Sequence, residues 1–439
     1  MMSASGSRLI VEHGRPSSGA RVLEEASRLE ALFAGHGISS GDVVGVAAAR
    51  TWRSLAVLVA LWRRDAMAAM VPQGASGPYL EQRLAAVGAA FLVRTSSAGV
   101  VVEQVADLAP RSPGVEALQG ALCIFTSGTT GLPKAVVHSH RSILTSVEVL
   151  GALWELGPSD VLVHGLPLHH VHGLIVGLLG VIGRGGSVAF VEHLDAERIT
   201  DAAGTVLFAV PTTYYRLARR GALGVLAPHR LVVSGSAPLQ PALAQEVADA
   251  GLTLHERYGM TETCITVAQP LGVARPPRTV GRAVQGARLR VADDGELLVR
   301  CSTMFEGYLG QADLTAASFT EGWFATGDLV EVTDGWVEIK GRKKELIITG
   351  GYNVHPSEVE EAIASHPGVE EAAVVGVDDP EYGQVVVAYV VRGDHQLSEA
   401  ALVEHVRPRL NAYQRPRQVR FVDALPRNEM GKVVRGQLG

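Results

Sequence analysis

The chain has 439 residues, 47% hydrophobic and only 5% aromatic, which allows two or three domains with cores built mainly from Ala, Val and Leu. A formal net charge of −6 gives no reason to expect nucleic acid or an anionic membrane as a partner. Cys123, Cys264 and Cys301 form no CxxC pair and have no histidine at zinc-ligand spacing, which suits a reducing cytoplasm.

Residues 1–15 lack the apolar run of a secretion signal. Residues 22–36 carry Leu and Ala at helical spacing and stop at Gly37. Residues 42–48 read as a short apolar strand of the kind buried in parallel sheets, 54–62 as a helix and 91–94 as a strand. Residues 95–120, with Pro110 and Pro113, read as loop. Strands are expected at 161–164, 187–191, 206–210 and 231–234, and helices at 197–203, 213–218 and 241–250. The most apolar stretch, 174–182, is interrupted by glycines and is too short to span a bilayer, so it reads as buried core. This alternation predicts an α/β architecture with mainly parallel strands. After Gly281 the texture changes to short strands at 288–291, 295–300, 329–333 and 336–340, with hairpin turns at Asp293-Asp294-Gly295 and Asp334-Gly335. From Gly341 a small α+β unit follows, with helices at 357–364 and 398–410 and strands at 369–377 and 384–391.

Several motifs carry chemistry. In Phe125-Thr126-Ser127-Gly128-Thr129-Thr130-Gly131-Leu132-Pro133-Lys134, glycines let backbone approach phosphate oxygens while hydroxyls and free N–H groups donate to them. It is not a Walker A loop, because the G-x-x-x-x-G-K-[ST] spacing is absent. Downstream come Glu256-Arg257-Tyr258-Gly259-Met260-Thr261-Glu262-Thr263, then Thr326-Gly327-Asp328, Gly341-Arg342-Lys343-Lys344 and Pro426-Arg427-Asn428-Glu429-Met430-Gly431-Lys432. In this order and at these separations they resemble the adenylate-forming superfamily of acyl-CoA synthetases, luciferases and adenylation domains, from about residue 22 onward.

The resemblance implies an α/β fold with a large N-terminal domain of mainly parallel α/β layers, residues 1–340, including a β-rich subdomain over about 282–340. A small mobile α+β C-terminal lid would occupy residues 341–439. The start is short for that superfamily, so trimmed peripheral structure is expected. The implied reaction joins a carboxylate to the α-phosphate of ATP, expels pyrophosphate, and passes the acyl group to a thiol.

Carried onto this sequence, Thr126, Ser127, Gly128, Thr129, Thr130 and Lys134 would cradle the β,γ-phosphates, with Ala135 departing from the family's glycine. Glu262 would hold Mg²⁺ and Thr261 would meet the α-phosphate. Tyr258 and Gly259, with Ser234, Gly235, Ser236 and Ala237, would wall the adenine, and Asp328 would hold the ribose hydroxyls. Arg342 would reach ribose or phosphate, Lys344 would be the hinge, and Gly351 would open a path for the pantetheine arm of coenzyme A. Lys432 would bridge the incoming carboxylate and the ribose–phosphate oxygens. In Pro167-Leu168-His169-His170-Val171-His172-Gly173, His170 would line the acyl pocket and His169 and His172 would pack; three histidines without HExxH do not make a catalytic zinc site.

For the acid, Thr212 would line the pocket. Three stretches, 165–174, 232–237 and 256–263, look most like malonyl-CoA synthetases, which also place an arginine before a Thr-Val-Gly turn. Arg275 or Arg278 would therefore clamp a second carboxylate, with Arg230 a weaker candidate. The expected partners are a small-molecule carboxylic acid and either CoA or an acyl carrier protein, with no nucleic acid and no membrane. The alternative is activation of an aryl or other acid for transfer to a carrier-protein thiol or another nucleophile. A non-catalytic nucleotide-binding role is argued against by the intact Lys432, Glu262 and Asp328.

Overall fold

The computed structural model of the protein describes residues 8–12, 15–105, 120–126, 133–427 and 432–438. Its N-terminal part rests on two sheets whose central strands are short Val/Ala-rich runs. Val43–Ala47 and Met67–Val71 are buried along their whole length and pair in parallel. Phe91–Thr95 and Leu122–Thr126 extend the sheet in parallel on either side, and Lys134–His138 follows antiparallel to Leu122–Thr126, with Gly307–Tyr308 antiparallel beyond it. Strands covered on both faces have no use for polar alternation, hence their continuous apolar sequence. Helices Gly19–Gly35 and Trp52–Arg63 supply one cover through Val22, Ala26, Leu29, Leu55, Leu58 and Leu61.

In the second sheet Ser187–Phe190, Val161–His164, Val206–Ala209, Leu231–Ser234 and His255–Tyr258 lie side by side in that order, all parallel. The expected β-rich stretch is not a detached layer. It continues this sheet antiparallel through Val267–Ala268, Thr279–Ala283, Trp336–Arg342, Trp323–Thr333, Glu296–Cys301 and Ala287–Val291. The Asp334-Gly335 turn has both residues at positive φ, 50° and 80°, the mirror-image turn that matches strand twist.

The apolar segment after Pro167 is core, as expected, but its His172–Leu179 part is wound as a π-helix. Glycine permits this: a Cβ on Gly173 would sit 2.1 Å from the Pro167 carbonyl oxygen. Such widened turns recur where a helix must aim side chains at a site.

The C-terminal unit packs helices Pro356–Ala364 and Glu399–Val406 on a sheet of Ile347–Thr349, Tyr352–Val354, Val369–Asp379, Gly383–Arg392 and Gln418–Val422. Two expectations shift. Residues 95–120 were read as loop, yet Val100–Gln104 forms a half-exposed edge strand antiparallel to Phe91–Thr95. The helix expected over 398–410 ends at Val406, with Arg407 still in helical backbone as its cap, because Pro408 has no N–H to continue the hydrogen-bond ladder.

Candidate active site

Strand His255–Tyr258 organises the site because successive side chains point to opposite faces. Glu256 and Tyr258 share one face, His255 and Arg257 the other. Tyr258 Oη donates to Asp328 Oδ2 at 2.6 Å, and Arg342 Nε lies 2.8 Å from Asp328 Oδ1. Asp328 and Arg342 are direct cross-strand partners, which is why two distant motifs meet. Burial raises the Asp328 pKa, and the Arg342 charge opposes that rise.

Thr126 and Lys134 are also cross-strand partners, so they stand at the two ends of the phosphate-loop motif; Ser127, Gly128, Thr129 and Thr130 lie outside the described residues. Ala135, the departure from the family pattern, is 1% exposed and packs its methyl in the core. Lys134 Nζ stands 5.0 Å from the Tyr308 ring centroid. The Tyr308 hydroxyl donates to Glu262 Oε1 at 2.8 Å, with Glu262 buried. Beside it, His138 Nε2 meets the Thr261 carbonyl at 2.7 Å. Burial pulls His138 down to about 4, so it is a neutral imidazole that donates this bond. A Cβ on Gly259 would fall 2.4 Å from the Cys264 carbonyl oxygen, so the turn after Tyr258 needs glycine.

Ser234, Gly235, Ser236 and Ala237 leave the end of strand Leu231–Ser234, with Ser236 in left-handed backbone at φ 73°. Ser236 Oγ is 3.0 Å from His172 Nδ1, joining this loop to the histidine segment. His170 and His172 are held neutral, His170 pulled down to about 3 by burial and then by the charges of His169 and Lys432. His169 packs against His170 with ring centroids 4.2 Å apart. Thr212 sits in the first turn of helix Pro211–Arg219, half-buried, at the C-terminal end of strand Val206–Ala209. Lys432 keeps solvent access, yet the protein around its ammonium and then Arg342 lower its pKa, while Asp328 raises it. Lysine, carboxylate and histidines thus share one electrostatic neighbourhood.

Lys343 is tied to the large domain through Asp294 at 2.6 Å and Glu296 at 2.8 Å, whereas Lys344 is exposed one residue later. Gly351 and Gly350 form a two-residue turn at φ 83° and 55° between Ile347–Thr349 and Tyr352–Val354.

The arginines expected to clamp a second carboxylate are engaged within the protein. Arg275 Nη2 is 2.7 Å from Glu256 Oε1, both side chains nearly buried, and its Nη1 donates to the Thr279 carbonyl. Arg278 pairs with Glu361 of the C-terminal unit. Arg230 forks onto Asp160 at 2.7 and 2.6 Å, at the opposite end of its strand from Ser234. What the motifs did not single out is Tyr308 and His138.

Residues 4–309 match the family described as AMP-binding enzyme, and residues 358–432 match the AMP-binding enzyme C-terminal domain. The mitochondrial malonate–CoA ligase of Bos taurus is 36% identical over 72% of this chain. The sulfoacetate–CoA ligase of Cupriavidus necator is 38% identical over 72% of it. The chain spans 63% of the first relative's length and 66% of the second's. The crystal structure of ATP-bound MatB from Rhodopseudomonas palustris superposes with a TM-score of 0.91 at 30% identity, covering 100% of this chain and 96% of that one.

Proposed function

The chain belongs to the AMP-binding enzyme family, and on that premise we propose that it is an AMP-forming acid–CoA ligase acting on a short dicarboxylate such as malonate or methylmalonate. The observation that carries this reading is the convergence of Lys432, Arg342 and Asp328 beside the neutral His170 and His172. In the first half-reaction the carboxylate attacks the α-phosphate of ATP and pyrophosphate leaves. In the second, the CoA thiol attacks the acyl carbonyl and AMP leaves. Both pass through crowded negative charge, which fixed cations and donors offset.

In this reading Lys432 orients the carboxylate against the α-phosphate, and Thr261 donates to that phosphate. Lys134 and the loop after Thr126 hold the β,γ-phosphates. Tyr258 and the Ser234–Ala237 loop wall the adenine, and Asp328 takes the ribose. Thr212 and His170 line the acid pocket. Rotation about Lys344 then brings the Gly351 turn in for the pantetheine arm. Mg²⁺ fits the donor set: Glu262 is one buried carboxylate, and no group of three or more ligating side chains that could cage a metal occurs among the described residues. That suits an ion that takes one or two carboxylates plus phosphate oxygens and water, and when bound it supplies charge against those oxygens.

Two relatives support a second anionic group on the acid, since malonate and sulfoacetate both carry one. A reducing cytoplasm is our reading of three unpaired cysteines. Among the described residues no helix is long and apolar enough to cross a membrane.

The test is mass spectrometry of products from purified protein, ATP, Mg²⁺, CoA and a panel of dicarboxylic, aryl and fatty acids. Malonyl- or methylmalonyl-CoA is the expected product. Pyrophosphate release without acyl-CoA would keep the adenylation and move the acceptor to a carrier-protein thiol or another nucleophile.

A further inference from the structure

We infer that His138 is a positioning residue for adenylation: it sets the Thr261 peptide so that the Thr261 hydroxyl meets the α-phosphate. The inference deepens the ligase reading above and rests on its placement of Thr261 at that phosphate.

The turn that carries Thr261 and Glu262 is held from outside at three successive carbonyls. His138 Nε2 lies 2.7 Å from the Thr261 oxygen, the Phe305 N–H donates to the Glu262 oxygen at 2.7 Å, and Thr303 Oγ1 donates to the Thr263 oxygen at 2.7 Å. The last two donors lie just before strand Gly307–Tyr308, and the first ends the strand that begins at Lys134. A carbonyl oxygen only accepts, so the imidazole carries its proton on Nε2. Its Nδ1 is then an acceptor, facing the Ser142 hydroxyl at 3.2 Å and the Cys264 thiol at 3.8 Å. His138 is 0% exposed, so a ring engaged at both nitrogens has no water to turn towards and keeps one pose.

The turn needs such a hold. Cys264 sits in left-handed backbone at φ 55°, a conformation that costs a non-glycine residue and persists only where its surroundings enforce it. Bonds inside the turn converge on Thr263: its Oγ1 accepts from the Met260 N–H at 3.1 Å and its carbonyl from the Ile265 N–H at 2.7 Å. The Thr261 peptide takes its direction from His138. Strand alternation puts Lys134, Val136 and His138 on one face, and Lys134 and Val136 there meet Tyr308, whose hydroxyl holds Glu262. One strand therefore bears the β,γ-phosphate lysine at its start and the clamp on Thr261 at its end. That fixes the two phosphate contacts relative to each other before nucleotide binds, and a donor left loose would lose rate through misplacement.

The experiment measures single-turnover pyrophosphate release, and thioester formation from a supplied acyl-adenylate, with Kd for AMP by calorimetry without added metal and the thermal midpoint alongside. The proteins are the wild type, His138→Leu, His138→Gln, Thr261→Ala and the double variant His138→Leu/Thr261→Ala. His138→Leu fills the space without a donor and should slow the first half-reaction by about tenfold, the second by less than about twofold, and weaken AMP by about threefold. His138→Gln returns an N–H to the place of Nε2 and should recover the first half-reaction to within about threefold of the wild type. The double variant should be no slower than Thr261→Ala, because no hydroxyl is left to aim. Additive losses in the double variant, or equal slowing of both half-reactions by His138→Leu, give His138 a structural role and overturn the inference. If the Leu variant does not fold, His138→Asn takes its place with the same expectations, since its shorter amide stops short of the Thr261 oxygen. Pyrophosphate release unchanged in Thr261→Ala removes the α-phosphate reading itself. A slow Thr261→Ala beside a His138→Leu at the wild-type rate removes His138 alone.

Discussion

Tyr258 Oη and Asp328 Oδ2 are 2.6 Å apart, in a bond that links the strand leading into Thr261 and Glu262 to the strand bearing the proposed ribose carboxylate. With Arg342 on the other oxygen, Asp328 is held from two sides before any nucleotide hydroxyl reaches it. Tyr258 is thus a brace as well as a flat surface for adenine.

Tyr258→Phe separates those roles, because the ring stays and the hydroxyl goes. Losing a hydrogen bond to a charged acceptor costs about 1.5–3 kcal/mol, so KM for ATP should rise by roughly 10- to 100-fold with KM for the acid little changed. Initial-rate kinetics with each substrate varied in turn decides it. An unchanged KM for ATP would mean that the bond is dispensable once nucleotide is bound.

Tyr308 joins two motifs that lie far apart in the chain, with its ring under Lys134 Nζ and its hydroxyl on Glu262 Oε1. Tyr308→Phe should leave the cation–ring contact and release Glu262, raising the Mg²⁺ concentration for half-maximal activity several-fold. Tyr308→Leu should in addition weaken ATP binding, since a cation over an aromatic face contributes about 0.5–2 kcal/mol. Mg²⁺ titrations at fixed ATP read the first effect, and ATP titrations at saturating Mg²⁺ the second. If Phe and Leu behave alike, the ring contributes nothing to holding Lys134.

Much of this was legible in the sequence because it is periodic or local. Buried parallel strands such as Val43–Ala47 announce themselves as apolar runs, and Asp334-Gly335 announces a hairpin. Asp328, Glu262 and Lys432 carry motif contexts. Tyr308, His138 and Arg435 do not: each acts through a partner 46 or more residues away in the chain, a pairing created only by the tertiary fold. The arginines show the limit most plainly. Arg275 and Arg257 are indistinguishable as letters, and what separates them is that Glu256 faces the first and not the second. The edge strand Val100–Gln104 was missed because it is half-exposed and follows a Ser-Ser-Ala-Gly turn that reads as loop.

Stability should fall steeply in mild acid. Burial pulls His138 to about 4 and His164 and His170 to about 3 from 6.5, and holds His172 well below it. These imidazoles stay neutral in the fold and gain protons when the chain unfolds. Their folded pKa values lie below the unfolded ones, so the unfolded state binds more protons below pH 6.5 and stability is lost as pH drops through that value. Glu256 acts in the opposite sense, because burial raises it to about 7 from 4.5 and the fold retains its proton across this window. The buried histidines outnumber Glu256, so among these groups the loss of stability on acidification prevails below pH 6.5. Denaturant midpoints at pH 7.5, 6.5 and 5.5 test this, with His138→Gln expected to flatten the slope by about one proton. A midpoint that does not move would show that solvent reaches these rings in the folded state.

Lys432 is held in place by a device three residues further on. Arg435 lies 3.0 Å from Glu345, just past Lys344, and 2.8 Å from Glu360 in the core of the C-terminal unit, so it pins the lysine's segment to hinge and lid together. Lys432→Ala should cripple adenylation, measured as pyrophosphate release, while sparing most thioester formation from a supplied acyl-adenylate, because only the first step needs its charge between carboxylate and phosphate. Arg435→Lys keeps a cation against buried Glu360 but loses the fork that reaches Glu345 as well. It should reproduce the same asymmetry more mildly, by about tenfold in the first half-reaction, through a lysine that is present but loosely aimed. Equal loss in both half-reactions for Lys432→Ala would place the lysine outside the adenylation step. Equal loss for Arg435→Lys alone would make Arg435 a support of the lid's fold and not of the lysine's aim.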